Sequence, residues 1–438
     1  MDNNKAIVCK LGNLTKIEGA DKIVKADVIL NEISLTSVVV GVDTIENTPV
    51  VYFDSNMMIE QNIIDYIDKL SPDYGKEGFK TLGNYLSKGN RVRCIKLKNT
   101  LSNGLAIGIE KFYQFSSIGA NDPIFKEGSS FTQIGDIDIC KKWLPTFNNS
   151  TFSKGKKDHK GTKSSRIIPT MFHFHIDTAQ LKLNLHKITP ETVLSISRKI
   201  HGTSAICAYT KVLKTLTIVE KICKFLKIPI VETEYDYIYA SRSVVKNDAQ
   251  SLGFYKVDLW SQVGKEQFFN KLHKNECVYY EIVGYLPNTS SFIQKHFDYG
   301  CKIGEYKIAV YRITTTNEDG VVTEYSWQAM KERCKELCVP TVEEYFFGYA
   351  RDIVGKGIVE TDWRTRFIEY LKQVYLEKYC LDNLTRKIPD EGIVLKIEGL
   401  YEEAYKLKSE NFYLFESSAK EDETTIDTEE QESIGGTL

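Results

Sequence analysis

Strand-like and helix-like segments alternate irregularly between residues 167 and 415, and this order constrains the fold more than any other feature. The strand-like runs include "TSAICAYT", "CVYYEIVGY", "YKIAVYRIT" and "GIVLKIEG", and the helical ones include "SWQAMKERCKELC" and "WRTRFIEYLKQVYLEKYC". They show no regular β–α–β order and no glycine-rich phosphate loop. We therefore predict an α+β fold with a largely antiparallel sheet, and the pattern argues against a Walker-type NTPase.

Residues 1–150 are rich in short β-type runs separated by turn-forming residues. These runs include "KAIVCKL", "VKADVIL", "TSVVVGV" and "PVVYF", with one helix-like segment, "IEQNIIDYIDKL". Several short strands with a single helix predict a small β-barrel of the oligonucleotide-binding (OB) kind. The basic residues of "RVRCIKLK" either follow a phosphate backbone or form a solvated strand face.

Two strongly polar segments flank the second region. Residues 151–166 include "SKGKKDHKGTKSSR", with six basic residues and one acidic residue, which predicts a flexible basic linker. Such a linker is either a soluble tether or a segment that contacts nucleic acid. Residues 416–438 hold eight acidic residues and one lysine, a net charge of −7 in a chain of net −2, so the remainder carries +5. We predict a disordered acidic tail over 416–438.

Cysteine usage and hydropathy bear on the compartment. The ten cysteines form no C-x-x-C pair, and with only seven histidines the chain offers no pattern typical of zinc sites. Scattered thiols suit a reducing environment, so we expect an intracellular, cytoplasmic protein. The amino-terminal segment "MDNNKAIVCK" has no apolar core of the signal-peptide type, and no run of about 18 apolar residues occurs. We expect no membrane partner.

Five charged residues suggest a phosphoryl-transfer site. Lys199 lies in "SRKIHGTSA", Glu281 in the apolar strand "VYYEIVG", Glu391 in "DEGIVLK", and Lys406 and Lys408 in "YKLKS". The last two share one face of a strand, roughly 6–7 Å apart, which suits two phosphate oxygens. One lysine can attack, two acids can hold a divalent metal, and two lysines can neutralise a polyphosphate. Alternatively, Glu281 forms only a structural salt bridge. The sequence is equally compatible with Lys406 and Lys408 lying on a solvated strand.

In this order the motifs resemble those of the covalent nucleotidyltransferase superfamily. The nearest resemblance is to ATP-dependent RNA ligases of the double-strand, nick-sealing type that carry an amino-terminal OB domain. "KIHGTS" resembles their lysine motif, "ASRSV" their arginine element, "YYEIVG" their strand glutamate, and "IAVYRI" their adenine-stacking aromatic. "EGIV" and "KLK" match the last two elements. The residues that the resemblance assigns to ATP are Thr178, Gln180, Lys199, His201, Gly202, Ser204, Arg242, Tyr311, Lys406 and Lys408.

The resemblance implies a mechanism and a domain plan. Lys199 would form a lysyl–AMP bond, and Glu281 and Glu391 would hold Mg²⁺ or Mn²⁺ through water, away from the attacking amine. The cationic pair of the last motif would favour the neutral amine. AMP would then pass to a 5′-phosphate, and a 3′-hydroxyl would displace it. An ATP-grasp-like nucleotidyltransferase domain with antiparallel sheets and peripheral helices would occupy residues 167–415. The expected partner is RNA, as a nicked duplex or stem, and the expected state is a monomer.

Two departures and two alternatives remain open. His201 replaces the aspartate common in the lysine motif, which argues against a direct metal role there. Arg312 follows the stacking aromatic where an acid sometimes stands, and we expect it to form a structural ion pair. An mRNA-capping guanylyltransferase shares the lysine motif, but such enzymes carry an OB domain after the last motif, whereas 30 residues follow Lys408 in this 438-residue sequence. A catalytically inactive RNA-binding module would have no need of the five charged residues.

Overall fold

The computed structural model of the protein describes residues 5–77, 81–143, 166–246, 258–355, 360–399 and 403–421. The predicted linker at 151–166 lies outside these residues except for Arg166, and so do residues 422–438 of the predicted tail. Within the described part, no helix has the length and apolar character needed to cross a membrane.

The amino-terminal region is built mainly of antiparallel strands. Its largest sheet has the order β3-β2-β1-β4-β8, with β9 paired to β1. The predicted β-rich region is therefore present, while its assignment as an OB barrel stays a prediction. The elements are β1 (Ala6–Lys16), β2 (Ile23–Leu30), β3 (Ile33–Gly41), β4 (Pro49–Phe53), β5 (Met57–Ile59), α1 (Gln61–Lys69), β6 (Cys94–Leu97), β7 (Thr100–Asn103), β8 (Leu105–Gly108), β9 (Ser130–Phe131), β10 (Gln133–Ile134), β11 (Ile137–Asp138) and β12 (Cys140–Lys142).

Helix α1 covers one side of this β-structure. Its buried residues Ile63, Ile64 and Ile67 recur at helical spacing and join a core that includes Val51 and Phe53 of β4. The apolar stripe explains why "IEQNIIDYIDKL" forms a helix whose other face is solvated.

Two antiparallel sheets form the second region, which confirms the predicted α+β class. One has the order β17-β16-β15-β18-β19-β20 and the other β13-β23-β22-β14-β21, with a single parallel pair, β13 and β23. The elements are β13 (Ala179–Gln180), α2 (Leu181–Asn184), β14 (Val193–Lys199), β15 (Thr203–Leu213), α3 (Ile218–Phe225), β16 (Thr233–Ser241), β17 (Val245–Lys246), α4 (Leu259–Phe268), β18 (Glu276–Gly284), β19 (Tyr306–Thr316), β20 (Val322–Glu324), α5 (Trp327–Leu337), β21 (Glu344–Tyr349), α6 (Ala350–Val354), α7 (Glu360–Tyr375), β22 (Gly392–Ile397), β23 (Glu403–Lys408) and α8 (Glu410–Glu421).

Each sheet of this region has its own helical layer. Trp260 of α4 and Met330 of α5 pack on the β15–β18–β19 sheet, while Phe367 and Leu371 of α7 pack on the β14–β22–β23 sheet. Because helices cover the outer face of each sheet, the opposite faces remain available to line a cleft.

Helix α8 corrects the predicted start of the disordered tail. It continues through residues 416–421, which the composition assigned to the tail. Ser417 is 3% exposed and is held by two groups of the amino-terminal region: Arg91 Nη2 donates to its carbonyl at 3.2 Å, and the Cys94 backbone N–H donates to its Oγ at 3.1 Å. Arg93 also pairs with Glu421 at 2.8 Å. Acidic composition failed as a guide here because the helix is ordered by contacts with residues more than 300 positions earlier.

Candidate active site

A cleft of about 1130 Å³ gathers all but one of the predicted site residues. It is lined by Thr178, Gln180, Lys199, His201, Gly202, Ser204, Arg242, Glu281, Glu391, Lys406 and Lys408. The exception, Tyr311, lines an adjoining, more apolar cavity of about 770 Å³. The two cavities meet, because both are bordered by Thr178, Lys199 and Glu281.

Strand register explains how positions so far apart in sequence share the cleft. Lys199 at the end of β14 lies opposite Gly392 of β22, and Gly392 lies opposite Lys408 of β23. Lys406 lies opposite Val394, so alternate residues of three neighbouring strands point to the same face. In the other sheet, Ser204 of β15 is the register partner of Glu281 of β18.

Two glycines permit the close approach of these strands. A Cβ on Gly392, whose φ is +138°, would lie 2.2 Å from the carbonyl oxygen of Leu407. A Cβ on Gly202 would lie 2.7 Å from the carbonyl oxygen of Ile282 and 3.0 Å from Glu281 Oε2. Any larger residue would displace backbone next to a charged group of the cleft. The glycines of the "KIHG" and "EGIV" motifs therefore have a steric reason to be there.

The Lys199 ammonium forms an ion pair with Glu391. Its Nζ lies 2.9 Å from Glu391 Oε1, and Lys408 Nζ lies 3.1 Å from the same oxygen. Burial by itself lowers the pKa of Lys199, but the carboxylates of Glu391 and Glu281 together outweigh burial and raise it. Burial opposes the ionisation of Glu391, and the two lysines overcome it and lower its pKa to about 2. This corrects the expectation that both acids stand away from the amine, because Glu391 lies beside it. The Lys408 charge does lower the pKa of Lys199, as expected, but burial and Lys408 together are outweighed by the carboxylates.

Lys406 has the opposite electrostatic character. Burial, followed by the nearby positive charges of Lys408 and Lys199, lowers the pKa of Lys406 to about 7. The two lysines of the "KLK" motif therefore differ, because Lys408 faces carboxylates and its pKa is raised. A phosphate group placed among these cations would be bound by several positive charges at once.

His201 and Arg242 border the same cleft. His201 Nδ1 lies 3.8 Å from Glu391 Oε2, and its ring makes edge contacts with Phe297 and Phe412 at centroid distances of 4.9 and 5.2 Å. Arg242 pairs with the carboxylate of Asp177. The Arg242 guanidinium therefore lies at the cleft, where the Asp177 carboxylate occupies a position that a phosphate oxygen could take.

The residues predicted for the adenine are split between two neighbourhoods. Tyr311 shares a hydrogen bond of 2.8 Å with Ser204 Oγ and one of 3.3 Å with His175 Nδ1. Thr178 borders both cavities. Gln180 instead turns towards α8, where its Nε2 donates to the hydroxyl of Tyr413 at 3.2 Å. The geometry therefore associates Tyr311 with the apolar cavity and Gln180 with the polar end of the cleft.

Comparison with known proteins identifies the fold. No protein-family model and no curated relative matches the sequence. The structure is similar to that of a Naegleria gruberi RNA ligase mutant in its apo form, with a TM-score of 0.56 and 16% sequence identity over 95% of this chain and 99% of that one. This chain has the fold of that RNA ligase. A mutant solved with ATP and Mn matches with a TM-score of 0.55 and 14% identity over 94% and 99% of the two chains. The ligase solved with pyrophosphate gives 0.54 and 16% over 94% and 98%.

Several residues of this RNA ligase fold that line the cleft escaped sequence reasoning. Four come from the amino-terminal region, two from the segment before β13 and two from α8: Asp54, Ser55, Asn56, Lys142, His175, Asp177, Tyr413 and Glu416. Glu416 lies 3.5 Å from Lys408 Nζ and 3.4 Å from Lys420 Nζ. Glu416 and Lys420 lie four residues apart, a spacing at which opposite charges stabilise a helix.

The acid pair of this RNA ligase fold suits a hydrated divalent cation. Glu281 and Glu391 both border the cleft, and carboxylate oxygens are the ligands that Mg²⁺ and Mn²⁺ prefer. Among the described residues, no group of three or more His, Cys, Asp or Glu side chains could enclose a metal. Two carboxylates beside an open cleft fit an ion that keeps most of its own water, as Mg²⁺ does.

Proposed function

We propose that this protein is an ATP-dependent RNA ligase that joins 3′-hydroxyl and 5′-phosphate ends through a lysyl–AMP intermediate. The observation that carries the proposal is the position of Lys199: its amine lies in a cleft of ligase-like fold, flanked by Glu391 and Lys408. The Naegleria gruberi ligase of the same fold was solved with ATP, AMP, Mn and pyrophosphate. A mere RNA-binding module has no use for an amine in this setting.

In the first step, the neutral Lys199 amine attacks the α-phosphorus of ATP. The new N–P bond replaces the P–O bond to pyrophosphate, which leaves, and the ammonium gives up its proton before attack. Lys406 and Lys408 neutralise charge on the phosphates. Glu281 and Glu391 would hold a divalent cation, and its positive charge would stabilise the phosphate oxygens and favour a deprotonated amine.

In the second step, the AMP phosphorus is transferred from Lys199 to an oxygen of an RNA 5′-phosphate, and the N–P bond breaks. In the third, a 3′-hydroxyl attacks the 5′-phosphorus, loses its proton and expels AMP as the phosphodiester forms. Arg242 orients a phosphate in these steps, since a guanidinium fork matches two phosphate oxygens. His201 faces Glu391 and contributes to holding that carboxylate in place.

The domain plan belongs to the same proposal. Residues 1–150 form an OB-type module that delivers RNA, and its contributions Asp54, Asn56 and Lys142 border the phosphate end of the cleft. Residues 151–166 are a basic linker and residues 167–415 the nucleotidyltransferase domain. The substrate is a nick in an RNA duplex or stem, and the enzyme acts as a monomer. All ten cysteines are free thiols, which supports an intracellular setting.

Incubation with ATP labelled at the α-phosphate, together with Mg²⁺ or Mn²⁺, tests the proposal. We expect a covalent, acid-labile protein–AMP adduct that Lys199→Ala abolishes. Lys211→Ala is the matched control, because Lys211 lies on β15 and pairs with Glu318 outside the cleft. Labelling by GTP instead of ATP would favour a capping guanylyltransferase, and no labelling by either would favour an RNA-binding module.

Sealing assays define the substrate. Nicked duplexes with RNA or DNA on each side of the break show which strands the protein joins, and the all-RNA nick should be sealed. Failure to join any RNA nick by a protein that does form the AMP adduct would contradict ligation while leaving adenylylation intact.

A further inference from the structure

Three largely buried charged side chains, those of Arg312, Glu324 and Lys396, line the apolar cavity that also includes Tyr311. Arg312 Nε lies 3.2 Å from Glu324 Oε2, and Lys396 Nζ lies 2.5 Å from Glu324 Oε1. The three side chains are 7%, 6% and 12% exposed, and all border this cavity. No motif of the sequence includes Glu324. Burying charged groups costs free energy, so charged side chains that line a cavity can indicate a binding site.

A β-bulge brings the first of these groups to the cavity. The register of β18 and β19 shifts between Tyr279 and Tyr280, which pair with Arg312 and Val310, so Tyr311 is the extra residue. Adjacent side chains of a regular strand point to opposite faces of the sheet. A bulge changes these directions, and here both Tyr311 and Arg312 border the cavity. The Arg312 guanidinium then lies 4.5 Å from the centre of the Tyr279 ring, which fixes its position.

Lys396 enters from the opposite sheet. It follows Val394 by two residues on β22, so the two side chains share a face, and both border the cavity. Lys396 Nζ also donates to the carbonyl of Tyr325 at 3.2 Å. From Gly392, the register partner of Lys199, to Lys396 the strand runs four residues, or about 13 Å. If the α-phosphate of ATP lies at Lys199, Lys396 is within reach of the base of the same nucleotide.

Glu324 and Lys396 place an acceptor directly beside a donor. Adenine presents the matching pair on one edge, an N6 amine donor next to the N7 acceptor, whereas guanine presents two acceptors, O6 and N7, on the same edge. A carboxylate has about four acceptor positions, so two ion pairs do not exhaust Glu324. Guanine in the same pose would set O6 against a carboxylate.

We propose, on the basis of the function proposed above, that Glu324 and Lys396 read the base of the nucleotide. Glu324 accepts a hydrogen bond from the adenine N6 amine and Lys396 donates one to N7. Arg312 is a positioning residue, which holds Glu324 from the side away from Lys396 and is itself held by Tyr279. The pair selects ATP over GTP, and a carboxylate at position 324 is the decisive element.

Two nucleotide analogues test the two hydrogen bonds separately. Purine riboside triphosphate lacks the N6 amine and 7-deaza-ATP lacks N7. With the wild-type protein, the rate constant kcat/KM for covalent adduct formation should be about 10- to 100-fold lower for each analogue than for ATP, because each removes one charge-assisted hydrogen bond. Adduct formation is followed by intact-protein mass spectrometry, which detects the covalent adduct formed from ATP or from each of the two analogues.

Variants then assign each effect to a residue. Glu324→Ala should bring the ratio of ATP to purine riboside triphosphate close to one and leave the 7-deaza ratio near its wild-type value. Lys396→Met should do the reverse. The matched control is Glu276→Ala: Glu276 is another buried acid, bound by Arg333 at 2.8 and 2.9 Å away from the cleft, so its loss should lower stability and preserve both ratios.

Wild-type ratios retained in both Glu324→Ala and Lys396→Met would overturn the proposal, and so would a wild-type protein that uses ATP and both analogues equally. If Glu324→Ala does not fold, Lys396→Met with 7-deaza-ATP decides alone: loss of that ratio supports the proposal, and its retention overturns it. These results differ from a failure of the proposed function, in which the wild-type protein forms no adduct with ATP at all.

Discussion

Replacing Gly202 with alanine should separate β15 from β18 at the point where the lysine motif meets Glu281. The added Cβ would lie 2.7 Å from the Ile282 carbonyl oxygen and 2.8 Å from Val283 Cγ1. An ordinary carbon–oxygen contact is about 3.3 Å and a carbon–carbon contact about 3.5 Å, so the overlap is about 0.6–0.7 Å in each case. A carbonyl in a paired strand cannot rotate away, so the backbone must move.

Both stability and catalysis should respond. Overpacking of this kind lowers the free energy of unfolding by about 1–3 kcal/mol. A displacement approaching 1 Å at a catalytic site costs about 100-fold in rate, so Gly202→Ala should form the AMP adduct about 100-fold more slowly than wild type. Denaturant unfolding and the initial rate of labelling with α-labelled ATP measure the two effects.

Gly399→Ala is the matched control, because its added Cβ has no heavy atom of the described residues, apart from its neighbours in sequence, within 4 Å. It should retain wild-type stability and labelling. A Gly202→Ala protein that labels at the wild-type rate would refute the steric reasoning, since strand spacing at residue 202 would then have no influence on the position of the reacting groups.

Three further results are expected. Burial raises the pKa of Glu416, but Lys408 and Lys420 outweigh it and hold it well below 4.5, so its carboxylate stabilises the fold above about pH 4.5 and loses that effect as the pH falls. Glu416→Gln should therefore be less stable by about 3 kcal/mol at pH 7, and the difference from wild type should shrink towards pH 3 in thermal unfolding. Arg242→Lys should slow sealing of nicked RNA by about 10- to 100-fold, since a lysine lacks the guanidinium fork, while Arg166→Lys, outside the cleft, should not. A chelator should prevent AMP labelling and added Mn²⁺ or Mg²⁺ should restore it; labelling that persists in the chelator would contradict a metal-dependent first step.

Local patterns predicted the fold class because they report on single elements, whereas most of the residues expected in the cleft came from the family resemblance. The apolar run "VYYEIVG" identified β18, and the two-residue spacing of Lys406 and Lys408 identified one face of β23. Element ends were less predictable. The segment "GKEQFFNKLHK" suggests a helix over 264–274, whereas α4 spans Leu259–Phe268. The helix begins earlier because Asp258 caps it, accepting a hydrogen bond from the Ser261 N–H at 3.1 Å. It ends earlier because Asn270, just beyond its end, has a φ of 60°.

Contacts between distant elements lay beyond the sequence. Nothing near Asp54, Lys142 or Asp177 in the chain indicates that they border the cleft, because docking of the amino-terminal region and the path before β13 bring them there. The sequence predicted that Arg312 forms an ion pair, and it does, with Glu324. The partner could not be predicted, because the position of Arg312 depends on a β-bulge for which the sequence has no recognisable pattern. Helix α8 was hidden by acidic composition, since its order comes from Arg91 and Cys94.

The charges of the cleft suggest how the nucleophile is controlled. Lys199 is paired with Glu391, Arg242 with Asp177, and Lys408 with Glu391 and Glu416, so the protein itself supplies an anion for each of these cations. Cations crowded together without such partners would be costly to bury. A nucleotide brings its own anionic phosphates and can replace these carboxylates. Because Glu391 contributes most among the carboxylates that raise the pKa of Lys199, a ligand that draws Glu391 away would lower that pKa. In the proposed function, loss of the Lys199 proton would therefore be tied to occupation of the cleft by a nucleotide.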